Sequence, residues 1–264
     1  MYVVFITMTQ VVVTALYDIG RSEWKEYNQS YNTYLHWMKN VLKFKSQMVI
    51  FTESKFENKI KEMRSIADPN GEMTTYIINK LEDLEIYKVW FDKIVEVMKS
   101  DTFLKKIQFN VPEAIHPLYN VIVFNKIFFL NEARKLHPNA THFIWTDAGG
   151  IREENIASQN TWPNPAKLPV NTIMHFSHNL KFEILNVEWH TMSQVRHIQG
   201  TVVVCPSHLI EWYANEMHKT IHDCLNKNFI GSDEKMFDLI YVKHPEKITL
   251  VKLGWRECYD WLKT

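Results

Sequence analysis

A single α/β domain, with a Rossmann-type sheet flanked by helices, is the fold class this sequence predicts, and three observations predict it. The run at residues 11–16 is apolar and β-branched at consecutive positions, as a strand buried on both faces must be, and it stops at Tyr17-Asp18-Ile19-Gly20. A strand, an amphipathic helix and a second strand succeed one another within about forty residues, the order of a right-handed βαβ crossover. A third strand, His142-Phe143-Ile144-Trp145, leads straight into Thr146-Asp147-Ala148-Gly149-Gly150. A carboxylate thus stands at the C-terminal end of a buried strand, where open α/β sheets gather their ligand chemistry.

The elements follow in order. The opening MYVVFITMTQVVVTALYDIG lacks the basic region of a leader and is interrupted by Gln10, so it reads as two short buried strand-like runs. From 22 to about 44, Trp24, Tyr27, Tyr31, Tyr34, Leu35, Met38 and Leu42 recur at three and four residues and predict an amphipathic helix. Residues 48–51 form a second strand ending at Thr52-Glu53. A turn at 68–71 precedes a helix over about 77–107, and another over 118–136 carries Lys126. Beyond 150 the order changes: prolines 163, 165 and 169 make an irregular loop, and strand candidates lie at 182–187 and 201–204. Helices at 206–225 and 233–241, a strand at 248–253 and an aromatic tail close the chain. Without repeats or low-complexity tracts, the chain reads as one domain whose two parts, about 1–152 and about 153–264, serve different surfaces.

Composition narrows the function. With 30 Lys+Arg against 30 Asp+Glu, the formal net charge is zero, which argues against a nucleic-acid partner or a polybasic membrane binder. No two of the seven glycines have G-x-G or P-loop spacing, so a bound nucleotide would need something other than a glycine cradle. Cys205, Cys224 and Cys258 are odd in number and far apart, which suits a reducing, cytoplasmic setting better than a disulfide framework or a C-x-x-C zinc site. No apolar stretch reaches the roughly 18 residues of a transmembrane segment, and the protein is expected to be soluble.

Four segments are similar to one known family: Val13-Thr14-Ala15-Leu16-Tyr17-Asp18-Ile19-Gly20-Arg21; Met48-Val49-Ile50-Phe51-Thr52-Glu53; Pro117 and Tyr119 ahead of Lys126; and Phe143-Ile144-Trp145-Thr146-Asp147-Ala148-Gly149. They resemble the HtrL/YibB-like family of proposed glycosyltransferases, in order from about residue 11 to about 245 and most densely before 152. The resemblance implies a GT-A-like fold whose first half binds a nucleotide sugar, generally a UDP-sugar, with a divalent metal, Mn²⁺ or Mg²⁺, and whose second half faces the acceptor. The expected activity is transfer of a hexose to a hydroxyl on a glycan, lipid-linked sugar or protein. The chain departs from the usual GT-A pattern in offering one carboxylate, Asp147, where D-x-D offers two. Either metal dependence is weakened or a second ligand comes from elsewhere, His244 being one candidate. The alternative is an inactive nucleotide-sugar-binding protein of the same fold.

Glycosyl transfer requires the leaving diphosphate's growing charge to be neutralised, the base and ribose to be recessed and the acceptor hydroxyl to be held in line. Asp147 is the metal candidate, although a turn-capping Asp has the same sequence signature. Arg21 and Lys126, both in matched motifs, are the cations for the diphosphate, with surface or helix-dipole roles as the alternative. Thr14, Tyr17, Thr52 and Glu53 stand at the ends of the first two strands, where uracil and ribose could be gripped. Asp233 and Glu234 follow Gly231-Ser232, as residues of a helix's first turn or as the acceptor-side pair containing a general base. His175 and His178 read as structural, His218 and His222 lack the Glu of a zinc motif, and an Asp18-centred hydrolase lacks a second carboxylate two positions on.

Overall fold

The computed structural model describes residues 9–107, 109–153 and 162–263; the first apolar run of the N-terminus lies outside them. Among these residues the frame is one seven-stranded sheet of β1 (Gln10–Leu16), β2 (Gln47–Thr52), β3 (Thr74–Ile78), β4 (His142–Thr146), β5 (Ile173–Ser177), β6 (Ile198–Pro206) and β7 (Ile248–Lys252). Their order across the sheet is β3-β2-β1-β4-β6-β5-β7. Strands β1 to β4 pair in parallel, β5 pairs in parallel with β7, and β6 is antiparallel to both of its neighbours.

The consecutive apolar residues of β1 alternate between two cores. Val11, Val13 and Ala15 face one, packed by α3 (Glu85–Lys99), α6 (Pro117–Phe124), α7 (Lys126–Leu136), α9 (Ile210–Asn226) and α10 (Asp233–Lys243). Val12 and Leu16 face the other, packed by α1 (Tyr31–Val41), α2 (Ser54–Arg64) and α11 (Cys258–Lys263). Burial on both faces is why β1 carries no polar alternation. Short helices α4 (Asp101–Leu104), α5 (Pro112–Ile115) and α8 (Val187–Met192) fill the connections. No described helix is long and apolar enough to cross a membrane.

The expected βαβ order and the α/β class stand, and several boundaries move. The helix expected from residue 22 begins at Tyr31, capped by the Ser30 side chain, which accepts from the Thr33 N–H. Trp24 and Tyr27 fit the helical period yet lie in the preceding loop, with Trp24 stacked on His116 at 3.6 Å between centroids. The stretch expected as one helix over 77–107 opens instead with β3, whose Thr74-Thr75-Tyr76-Ile77-Ile78 pairs with β2. The helix expected at 118–136 is broken at Asn125, whose side chain donates to the Val121 carbonyl at 2.7 Å and accepts from the Ile86 N–H at 3.4 Å. Residues 182–187 are not a strand, and the neighbouring strand is β5, in which His175 is buried against the Tyr213 hydroxyl at 2.7 Å.

Candidate active site

A cavity of about 480 Å³ opens at the C-terminal ends of β1 and β4. Its walls are Tyr17 and Asp18 after β1, Trp145, Asp147 and Gly149 at the end of β4, Gly200 and Thr201 of β6, and Ser232-Asp233-Glu234 at the start of α10. Parallel strands end there together, so their following loops converge on one rim.

Lys126 ties the two halves. It is the first residue of α7, 5% exposed, and the break at Asn125 directly precedes it. Its Nζ lies 2.9 Å from Asp147 Oδ1 and 2.7 Å from Asp233 Oδ2, and donates to the Gly200 carbonyl at 2.8 Å. Three partners match an ammonium's three protons. Burial alone would pull the Lys126 pKa down; the charges of Asp147 and Asp233 outweigh it and hold the ammonium above its ordinary range. Burial raises the Asp147 pKa, with Lys126 opposing. The Trp145 indole also donates to Asp147 Oδ1 at 2.8 Å, so both contacts fall on one oxygen. Gly200 makes the approach feasible: a Cβ there would stand 2.4 Å from Asp233 Oδ2 and 3.2 Å from Lys126 Nζ.

A second ion network lies beside it. Arg196 reaches Glu113 at 3.2 Å and Glu234 at 3.1 Å, and the Gly200 N–H donates to Glu234 Oε1 at 3.2 Å. Burial, reinforced by the charge of Asp233, pushes the Glu234 carboxyl up to about 7 against the pull of Arg196. The Ser232 side chain makes no capping bond. Asp233 and Glu234 therefore occupy the helix's first turn, as the sequence suggested, while their carboxylates are engaged by cations across the cavity.

Tyr17, Arg21, Lys126, Asp147, Asp233 and Glu234 all line this cavity. The Tyr17 hydroxyl donates to Asn79; Arg21 donates to the Tyr27 carbonyl at 2.9 Å and to the Tyr34 hydroxyl. Thr14 and Thr52 are buried within the sheet, where Thr52 donates to the Leu16 carbonyl at 2.9 Å. Glu53 accepts from the Asp18 N–H at 2.7 Å and braces the loop that leaves β1. None of these three lines the cavity. Asp18 lines it, with its carboxylate on the Gly20 N–H at 3.0 Å and on Lys55 at 2.9 Å. His244, one candidate for a second ligand, pairs with Glu216 at 3.1 Å at the far end of α10 from Asp233 and is not part of the lining. Glu113, Tyr119, Arg152, Arg196, Trp255 and Arg256 also line the cavity. The sequence reading missed them as site residues, apart from Tyr119 as a motif residue. Arg152, two residues beyond the double glycine, carried the best available signal.

Among the described residues, His190, His197 and Asp238 bring ligand atoms within 4.8 Å of one another. None lines the cavity. His190 pairs with Asp238 at 3.0 Å, and Asp238 accepts from the Ile198 N–H at 2.9 Å, an arrangement that braces the start of β6. His218, of the dismissed zinc pair, accepts from the Trp90 indole at 2.9 Å.

The chain belongs to the HtrL_YibB family, described as "Bacterial protein of unknown function", whose model matches residues 8–263. Protein HtrL of Escherichia coli (strain K12) is 23% identical over 272 aligned residues, which cover 94% of this chain and 90% of that protein. Similar solved structures include mouse xyloside xylosyltransferase 1, at 12% identity over 92% of this chain and 84% of that one, with a TM-score of 0.46. The galactosyltransferase LgtC, in complex with donor and acceptor sugar analogs, is 8% identical over 91% of this chain and 73% of that one, with a TM-score of 0.48. The 4-diphosphocytidyl-2C-methyl-D-erythritol synthase of Anaerococcus prevotii DSM 20548 is 10% identical over 97% and 96%, with a TM-score of 0.45.

Proposed function

We propose that the chain is a glycosyltransferase moving a hexose from a UDP-sugar to a hydroxyl acceptor on a glycan, lipid-linked sugar or protein. One observation carries this reading: Asp147 at the end of β4 and Asp233-Glu234 at the start of α10 face a single cavity and are joined through Lys126. That arrangement supports a donor held by the first part of the chain against an acceptor-facing wall from the second. In the transfer, the bond from the anomeric carbon to the diphosphate oxygen breaks with its electron pair going to UDP, and a bond to the acceptor oxygen forms. For an inverting reaction, Glu234 is the stronger base candidate. Its carboxyl is pushed up to about 7, near the operating range of a general base, and its partner Arg196 is exposed, whereas Asp233 is held by the buried Lys126.

A divalent ion fits here in a sparse form. Asp147 Oδ2 has no bond among the described residues, and Mg²⁺ is commonly held by one or two carboxylates together with substrate phosphates and water. Bound there, it would supply charge for the leaving diphosphate. Lys126 keeps the two acidic walls together, and Tyr17 closes the base side. The reducing, cytoplasmic setting belongs to the same proposal; Cys205, Cys224 and Cys258 are buried free thiols.

Incubation with a panel of UDP-sugars, with Mn²⁺ and with EDTA, tests the reading through UDP release. Asp147→Asn should fold and lose any metal-assisted part of donor binding. Glu234→Gln should keep UDP affinity and lose about 10²–10⁴-fold in transfer. UDP affinity without UDP release from any donor and acceptor pair would favour the inactive binding protein. Absence of affinity for UDP and every UDP-sugar defeats both.

A further inference from the structure

We propose that Arg21, Arg152 and Arg256 form a phosphate-binding arc in this cavity that grips a diphosphate group without requiring a metal ion. The identity of that diphosphate as the donor's rests on the function proposed above; the arc itself rests on how charge is distributed.

Every acidic group lining the cavity already has a cationic partner, two of those partners being shared. Asp18 is held by Lys55 at 2.9 Å, Asp147 and Asp233 by Lys126, and Glu113 and Glu234 by Arg196. Lys126 and Arg196 are consumed in doing so. Three cations of the lining remain, and among the described residues none of them makes an ion pair. Each leans on an aromatic ring instead. The guanidinium of Arg21 lies 5.2 Å from the Trp24 ring centroid, that of Arg152 4.0 Å from Trp37, and that of Arg256 4.4 Å from Trp255. A ring against the face of a guanidinium leaves its N–H edges for a bidentate acceptor such as phosphate at Arg152 and Arg256, while Arg21 already donates to the Tyr27 carbonyl and the Tyr34 hydroxyl.

Arg152 senses the other two. Burial, then repulsion from Arg256 and from Arg21, lowers the Arg152 pKa. Tyr34 stands among them, bonded to Arg21 and packed edge-on to Trp37, with Gly149 of the Asp147 turn against its ring. Arg256 holds φ at +69°, a left-handed conformation that non-glycine residues rarely adopt and that is found concentrated at ligand clamps. Repulsion of Arg152 by its two neighbours costs stability until an anion joins them. A sugar-nucleotide diphosphate carries two negative charges and the released nucleoside diphosphate carries more, so the arc favours the charge that grows on the leaving group.

Titration calorimetry in EDTA, with inorganic pyrophosphate, UDP and uridine as separate probes, tests this on the full chain. Pyrophosphate and UDP should bind without metal. Arg152→Gln and Arg256→Gln should each weaken both by about tenfold or more, and uridine should be unaffected. Arg152→Lys should recover only part, since an ammonium lacks the fork. The melting temperature of each variant checks folding, and the two positions stand in for one another if either variant fails to fold. Pyrophosphate binding that requires Mn²⁺, or that is unchanged in both Gln variants, overturns the arc. If pyrophosphate and UDP bind simultaneously, the arc serves a second phosphorylated ligand, and its assignment to the donor is overturned. UDP release that survives intact in the Gln variants defeats the arc and leaves the transferase standing. Arginine-dependent pyrophosphate binding without affinity for any UDP-sugar does the reverse.

Discussion

Lys126 is the residue on which the site turns. Removing one member of a buried ionic cluster leaves the others uncompensated, at about 3–5 kcal/mol, whereas an apolar replacement that takes a carboxylate with it costs much less. Lys126→Met should therefore lower stability by about that amount, and Lys126→Met with Asp233→Asn should recover part of it. Urea midpoints for the two variants check this, and a single variant as stable as the parent would contradict it. Glu234 gives a pH signature of known sign. Its folded carboxyl titrates at about 7 against an ordinary 4.5. Between those values the unfolded chain has released a proton that the folded chain retains, so rising pH favours unfolding. The stability contributed by the neutral carboxyl is complete below about 4.5 and is lost as pH climbs through 7. Unfolding at pH 5 and pH 8 should show a smaller loss in Glu234→Gln than in the parent; equal losses would rule the assignment out.

Between residue and fold stand the elements, and two of them aim the site. The Asn125 break lets Lys126 begin α7 at the cavity, where a continuous helix would carry its turns past without a new start. Strand β6 supplies Gly200, and its antiparallel direction brings that residue's backbone between Lys126 and Glu234. Gly200→Ala should cost about 1–3 kcal/mol through overpacking, because the new methyl meets a carboxylate already held by Lys126. It should also reduce transfer per folded molecule. Melting curves and UDP release measured together test both parts, and a variant unchanged in each would show that Asp233 moves aside freely.

For the molecule as a whole, ligand linkage offers a test that needs no acceptor. UDP at about one hundred times its dissociation constant should stabilise the folded state by about 2.7 kcal/mol. At about 2–4 °C per kcal/mol for a domain approaching this size, the melting temperature should rise by about 5–10 °C. No shift at millimolar UDP would count against the cavity as a nucleotide site. The same bilateral sheet makes that shift global, since β1 and β4 end at the cavity and run through both cores.

What the sequence determined by itself is local and periodic. The apolar stretches of β1 and β4, residues 11–13 and 143–145, read as strands covered on both faces, and Asp147, ahead of Ala148 and a double glycine, reads as a residue where a strand gives way to a turn. Those features follow from side-chain alternation and turn chemistry, which neighbours in the chain decide. Tertiary structure alone decided which charges meet. Lys126 and Asp233 are 107 positions apart in the chain and come to 2.7 Å only because α7 and α10 pack on the same face of the sheet. Nothing local distinguishes Arg196 or Arg256 from a surface arginine, nor Trp24 from a helical one, until a βαβ layer and an antiparallel strand close around the same space. Periodicity reports which face of an element is apolar; it carries no information on which distant element will cover that face, and charge pairing is settled at that step.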